Sequence, residues 1–290
     1  MTDFRSYYGK PVLKEPTWKS PDVPAYLYLG GMAGASSVMA LLADRTGRPL
    51  LARNGRIAAA AGATASVGTL IHDLGRPARF LNMLRVFKPT SPLSVGSWIL
   101  APFSALAGAG AASELTGMLT PLGRLSASAA GVLAPAMTTY TAVLLADTAV
   151  PAWHGMYREL PFVFAGSAVS SAGAIGMLTT PRAESGPARR MAAAGAALEL
   201  AAEQRMHGRD ELVGEVYRQG RPGRILKVAK GLTWAGAAGA LLAGRSRTIT
   251  AASGLCLTAA AALTRYGIFH AGKESARDPR YTVVPQRERV

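Results

Sequence analysis

Residues 160–180 read LPFVFAGSAVSSAGAIGMLTT, 21 positions without one charged side chain. A helix rises about 1.5 Å per residue, so this stretch alone crosses the roughly 30 Å of a bilayer's hydrocarbon core. Outward from it the pattern recurs, with long uncharged stretches bounded by clusters of Arg, Lys and Asp. Towards the N-terminus the candidates are residues 24–43, 57–71, 96–118 and 125–153; towards the C-terminus they are 188–206, 228–243 and 249–269. Pro135 falls inside the fourth stretch, which a membrane helix tolerates when neighbours satisfy the freed carbonyl. The expectation is an all-α polytopic membrane protein of about eight transmembrane helices over 24–269, arranged as two four-helix bundles. Polar tails of residues 1–23 and 270–290 flank it. Residues 79–88 carry Phe80, Leu81, Leu84 and Phe87 at helical spacing among basic side chains, which predicts a helix lying in the interface. Residues 207–230 read as a basic loop with a short surface helix at 210–217.

Composition agrees. Hydrophobic residues make up 49% of the chain and charged residues 17%, and mean hydropathy is +0.18, against about a quarter charged in a typical soluble domain. The net charge of +15 sits between apolar stretches rather than along one face, which argues for topology and anionic lipid and against nucleic acid. With termini on one side, 22 of the 32 Lys and Arg lie on that side and 10 on the other. The positive-inside rule then places both termini in the cytoplasm, at the cell membrane. The first 23 residues hold no apolar leader, so the first span is expected to act as its own insertion signal. Cys256 is the single cysteine, which leaves no disulfide and no iron–sulfur ligand set. The histidines, His72, His154, His207 and His270, all fall at or beyond span ends, where they cannot face one another across a haem.

The polar groups near the spans carry the chemistry. His72-Asp73-Leu74-Gly75-Arg76-Pro77 closes the second stretch. Carboxylate, imidazole and guanidinium at a membrane edge can relay protons, and the same run can equally be a helix stop with charges that reach to water. In the fourth stretch Tyr140 can donate to a quinone carbonyl or be satisfied by helix neighbours, and Asp147 lies in its last third. Tyr26 and Tyr28 open the first span on the same side, as an aromatic belt or as part of that group. Glu199 and Glu203 fall within the sixth stretch, as a proton path or, for Glu199, as the partner of Arg265. Glu114 sits near the opposite face.

Together these residues resemble the NrfD/PsrC family, the membrane subunits of complex iron–sulfur molybdoenzymes such as polysulfide reductase. The resemblance runs through Tyr7-Tyr8-Gly9, Pro11 and Trp18, then residues 25–31 (AYLYLGG), then the 72–77 run with Phe80, Met83 and Leu84. It continues through residues 140–145 (YTAVLL), Pro151-Ala152-Trp153, Leu160-Pro161 and the segment 265–272. It implies an eight-helix, haem-free subunit that binds a quinone, menaquinone foremost. Such a subunit exchanges electrons with a four-cluster ferredoxin-like subunit, which connects to a molybdopterin catalytic subunit. On that resemblance Tyr140, His72 and Asp73 are the reactive groups, Tyr26, Tyr28, Arg76 and Asp147 line the quinone site, and Asp147, Glu199 and Glu203 carry protons. Two departures stand out. The family's frequent Gly after Tyr-Thr is Ala142 here, and a quinone-side histidine early in the first span is replaced by tyrosines. A structural anchor without a quinone site, or a proton-translocating or transport subunit, are the other readings.

Overall fold

The computed structural model describes residues 12–208, 211–242 and 246–287, all helix or connection. Tyr7, Tyr8, Gly9, Pro11 and Asp210, together with the side chain of His207, fall outside the described residues. Among the described residues twelve helices follow in chain order: α1 (Asp22–Arg45), α2 (Pro49–Asp73), α3 (Ala78–Met83), α4 (Pro92–Thr116), α5 (Thr120–Ala146), α6 (Pro151–Gly155), α7 (Leu160–Thr179), α8 (Gly186–His207), α9 (Glu211–Arg218), α10 (Gly220–Leu242), α11 (Arg247–Arg277) and α12 (Arg280–Arg287). Five of the long ones, α1, α4, α5, α7 and α10, are long and apolar enough to cross a membrane. The others, α2, α8 and α11, match them in length but are less apolar.

Helix boundaries follow local chemistry. Proline occupies the first turn of α2, α4, α5, α6, α7 and α8, where its missing N–H costs nothing. The His72-Asp73-Leu74-Gly75 run ends α2, with Gly75 at φ +69°, a conformation that a Cβ disfavours. Within α5, Pro135 cannot continue the backbone ladder. The Thr138 and Thr139 hydroxyls donate to its carbonyl at 2.8 and 2.9 Å.

The helices group as α1, α2, α4, α5 and as α7, α8, α10, α11, joined where α1 and α5 meet α7 and where α1 meets α11. Successive long helices run in opposite directions, which gives the bundle two faces. At the near face the start of α1, the ends of α2, α5 and α11, and helices α6 and α9 come together. At the far face Arg56 pairs with Asp44 at 2.9 Å and Glu114 at 2.6 Å, and Glu184 accepts from the N–H groups of Leu50 and Leu51. Glycines let backbones touch. A Cβ on Gly166 would lie 2.5 Å from Glu199 N, and one on Gly173 would lie 2.5 Å from Ala192 N. The α7–α8 seam is therefore closed by main chain, the close packing that small residues permit in lipid.

Several boundaries differ from the sequence expectation. The fourth stretch is not one helix to Trp153. It stops at Ala146, and Pro151 starts the separate α6. The basic run before residue 230 is helical from Gly220, with Arg221, Arg224, Lys227 and Lys230 all on α10. The interfacial segment is helical only over Ala78–Met83, ahead of Pro89, and α11 carries helix past residue 269 to Arg277.

Candidate functional site

The end of α5 and the start of α4 frame a cavity of about 570 Å³. Its walls include Pro92, Val95 and Ile99 from α4, Thr139, Tyr140 and Val143 from α5, and Asp147 just beyond α5. Residues Pro89 and Thr90 form its rim. Its surface is mostly apolar, with a few polar groups, the composition expected of a small-molecule site. Tyr140 is 7% exposed. Its hydroxyl is buried without a hydrogen-bond partner, a rare and costly condition for a phenol. Its ring meets Tyr26 edge-on at 6.5 Å and lies flush against Gly96, where a Cβ would overlap the ring carbon Cε2. Asp147 caps α5 rather than sitting inside a span, and it is exposed. Ala142 is fully buried in the core and does not line the cavity.

The 72–77 run lies elsewhere on the near face. Asp73 Oδ1 accepts from the Lys19 N–H at 2.8 Å, and His72 Nδ1 meets Asp22 Oδ2 at 2.8 Å with the imidazole side chain 77% exposed. The first ties the segment before α1, and the second the first residue of α1, to the end of α2. Arg76 is exposed. None of the three lines the Tyr140 cavity. The segment before α1 continues as a strap. Trp18 stacks on the buried Trp153 at 5.5 Å, and Glu15 pairs with Arg277 at 2.8 Å and Lys273 at 3.2 Å. The hydrogen bond from Arg277, with Lys273 beside it, holds the Glu15 carboxyl below the usual carboxylate range. Trp153 donates Nε1–H to the Ile268 carbonyl at 2.9 Å, and Tyr217 donates to the Ala152 carbonyl at 2.7 Å. Together they anchor α6 to α9 and α11.

A second polar group lies between the bundles. Tyr28 shares a 3.0 Å hydrogen bond with Ser171 of α7, and so faces away from Tyr26 and Tyr140. Residues two apart on a helix point about 200° from each other. Near it, Arg265 is 1% exposed and donates from Nη2 to the Phe164 carbonyl at 2.7 Å. Its guanidinium rests 3.9 Å above the Phe164 ring. Glu199 Oε1 accepts from Thr264 at 2.9 Å, and Glu203 follows one turn later on α8.

Of the residues expected to form one site, the fold therefore joins Tyr26, Tyr140 and Asp147. It places Tyr28 and Glu199 near Arg265, sets Glu203 beside Glu199 and Lys230, and leaves His72, Asp73 and Arg76 near the strap. Sequence reading missed Gly96, Val95 and Ile99. The only signal for them was that a helix begins at Pro92, because their role depends on the register between α4 and α5. Among the described residues no cluster of His, Cys, Asp and Glu is fit to hold a metal.

Comparison with known proteins fits this geometry. No curated protein matches the chain. The model of the family described as Polysulphide reductase, NrfD matches residues 14–194, from the strap into α8. The Tyr140 cavity lies inside that match, while Glu199, Glu203 and Arg265 lie beyond it. The chain belongs to the NrfD family, whose members are multi-pass membrane subunits of quinone-interacting oxidoreductase complexes that include iron–sulfur and molybdenum-enzyme subunits.

Proposed function

We propose that the cavity between α4 and α5 receives the head of a quinone, of the menaquinone class, and that the eight long helices all cross the membrane with the near face in the cytoplasm. The observation that carries the site is the Tyr140 hydroxyl, which is buried and unpartnered beside a cavity that also holds an exposed carboxylate. A quinone supplies two-electron, two-proton redox chemistry when bound. The protein's part is to bind, orient and move protons. Tyr140 donates to one carbonyl oxygen, with its ring fixed between Gly96 and Tyr26. Asp147, which reaches water, takes up or returns the proton at the ring oxygen nearest the near face. Val95, Ile99 and Val143 enclose the ring's apolar edge. Asp73 and His72 contribute by holding the strap and the start of α1, and thereby Tyr26. Electrons pass at the near face to a four-cluster iron–sulfur subunit that serves a molybdopterin subunit.

Quinol-linked turnover of the assembled complex tests this. Asp147→Asn is expected to slow turnover about 100-fold, the typical share of a positioned proton-transfer group. Tyr140→Phe, which removes one hydrogen bond worth about 1 kcal/mol, should raise the quinol KM about fivefold. Full turnover and unchanged KM in both variants would leave the chain a structural anchor.

A further inference from the structure

The far face carries a cavity that the quinone chemistry does not use. It lies where the ends of α1 and α4 meet the starts of α2 and α5, and its volume is about 240 Å³. Asp44, Arg56, Ser113, Glu114, Thr120 and Arg124 are among the residues that line it. The space would hold about eight waters at ~30 Å³ each, or one small charged group. Unlike the Tyr140 cavity, it brings both signs of charge together. Arg56, with a side chain only 12% exposed, is held between Asp44 at 2.9 Å and Glu114 at 2.6 Å. Neither carboxylate has another ion-pair partner among the described residues, so the trio keeps one negative charge over. Arg124 borders the same cavity, is exposed, and makes no ion pair among the described residues. A surplus carboxylate charge and a separate guanidinium in one cavity are the complement of a zwitterion.

The turn that carries this cavity is apolar on its outside. Leu115, Met118, Leu119, Leu122 and Leu125 are between 58 and 68% exposed. Gly117 at φ +70° and Leu119 at φ 51° bend the chain between α4 and α5, the second a left-handed conformation that leucine rarely adopts. The Ser113 hydroxyl fastens the bend by donating to the Met118 carbonyl at 2.7 Å. A patch of five large apolar side chains is costly against water and is satisfied at the acyl boundary of a leaflet. Cavity and patch share one turn, so the charged cavity opens at the level of the lipid head groups.

We infer that this cavity seats the head group of an ethanolamine phospholipid of the far leaflet. The ammonium sits against the Asp44 and Glu114 carboxylates, the phosphate against Arg124, and the acyl chains against the leucines of the turn. A choline head group has no N–H to donate and a glycerol head group brings no positive charge, so both should bind more weakly. The site needs α4 and α5 to cross the bilayer, as proposed above, and does not depend on the quinone cavity.

Native mass spectrometry tests this on the complex released from nanodiscs of ethanolamine, choline and glycerol phospholipids in equal amounts with matched chains. The ethanolamine lipid should be retained about tenfold over the choline lipid, the worth of one hydrogen bond to a charged group. Arg124→Gln should lower retention of all three, because the phosphate is common to them. Glu114→Gln should remove the preference between head groups. Should that variant fail to assemble, Asp44→Asn, at the more exposed carboxylate, makes the same test. Equal retention of the three lipids, or a preference that survives both carboxylate variants, overturns the site. Displacement of the lipid by millimolar phosphoethanolamine would show that the chains add nothing and overturn the lipid as its occupant. Alkaline carbonate washing reads the crossing of α4 and α5 separately, since a spanning chain stays in the membrane. Tyr140→Phe should leave lipid retention unchanged whatever it does to quinol oxidation, so the two proposals fail separately.

Discussion

The cavity between α4 and α5 and the polar group around Arg265 solve opposite problems with similar residues. At the first, one carboxylate and one phenol border an apolar opening. Asp147 lies past the helix end, where water meets its charge, and Tyr140 alone carries an unmet hydrogen bond. At the second, Glu199 and Arg265 are buried between packed helices, and the charge of one offsets that of the other. The contrast teaches that the depth of an ionisable residue is less informative than what closes around it. An open polar site can wait for a ligand, while a closed one must balance its own charge.

The largest effect expected from breaking this contrast is at the closed site. Arg265→Met leaves Glu199 without its countercharge and should cost about 3 kcal/mol or more. That would appear as a lower unfolding temperature of the detergent-solubilised complex. Adding Glu199→Gln should recover a substantial part of the loss, since the double variant buries no unpaired ion at that position. Equal stability of the single variant and the parent would mean that Arg265 compensates nothing.

At the open site the effect is smaller and local. Gly96→Ala puts a methyl into the Tyr140 ring, an overpacking worth about 1–3 kcal/mol. The ring must move, so weaker quinol affinity should accompany the loss of stability. Gly108, on the same helix, has nothing within 4 Å of its would-be Cβ. Gly108→Ala should be neutral or stabilising by about 0.5–1 kcal/mol and leave quinol affinity alone. Similar affinities in the two variants would break the link between Gly96 and Tyr140.

How much of this could be read from sequence follows the same division. The 160–180 run, the Pro starts and the Gly75 stop were legible because each is a local rule about backbone and bilayer. The fourth stretch reads as one helix although its 29 residues exceed the roughly 20 that a bilayer needs. That surplus was the sign that Asp147 and Trp153 belong to a turn and a separate helix. Residues 220–230 read as loop in the sequence because Arg221, Arg224, Lys227 and Lys230 interrupt any apolar run there. Tyr26 and Tyr28 read as one group in the sequence, although residues two apart on a helix point about 200° from each other and cannot share one face. What no local rule supplies is register between helices. Gly96 against Tyr140 and Thr264 against Glu199 are long-range facts.

Register also decides the meaning of Ala142. The resemblance suggests that the methyl added at this position narrows a quinone pocket, but Ala142 faces the core. Ala142→Gly should therefore leave quinol KM unchanged and cost about 1 kcal/mol through helix propensity and lost packing. A lower KM would put the pocket on the other side of α5.

The smallest effect concerns the strap, which lines a separate cleft with Thr148, Val150 and Trp153 beyond the end of α5. Its ion pair is half in water, so its contribution is modest. The sign is set by Glu15, whose carboxyl is held below its ordinary value by Arg277 and Lys273. A group depressed in the folded state stabilises it above the unfolded pKa, and that stabilisation drains away as pH falls through the folded value. Acidification through that range should loosen the strap, and the Trp18–Trp153 stack should report it as a change in tryptophan fluorescence. Glu15→Gln should abolish that transition while Asp147→Asn leaves it in place. A transition that survives Glu15→Gln would assign strap release to another group.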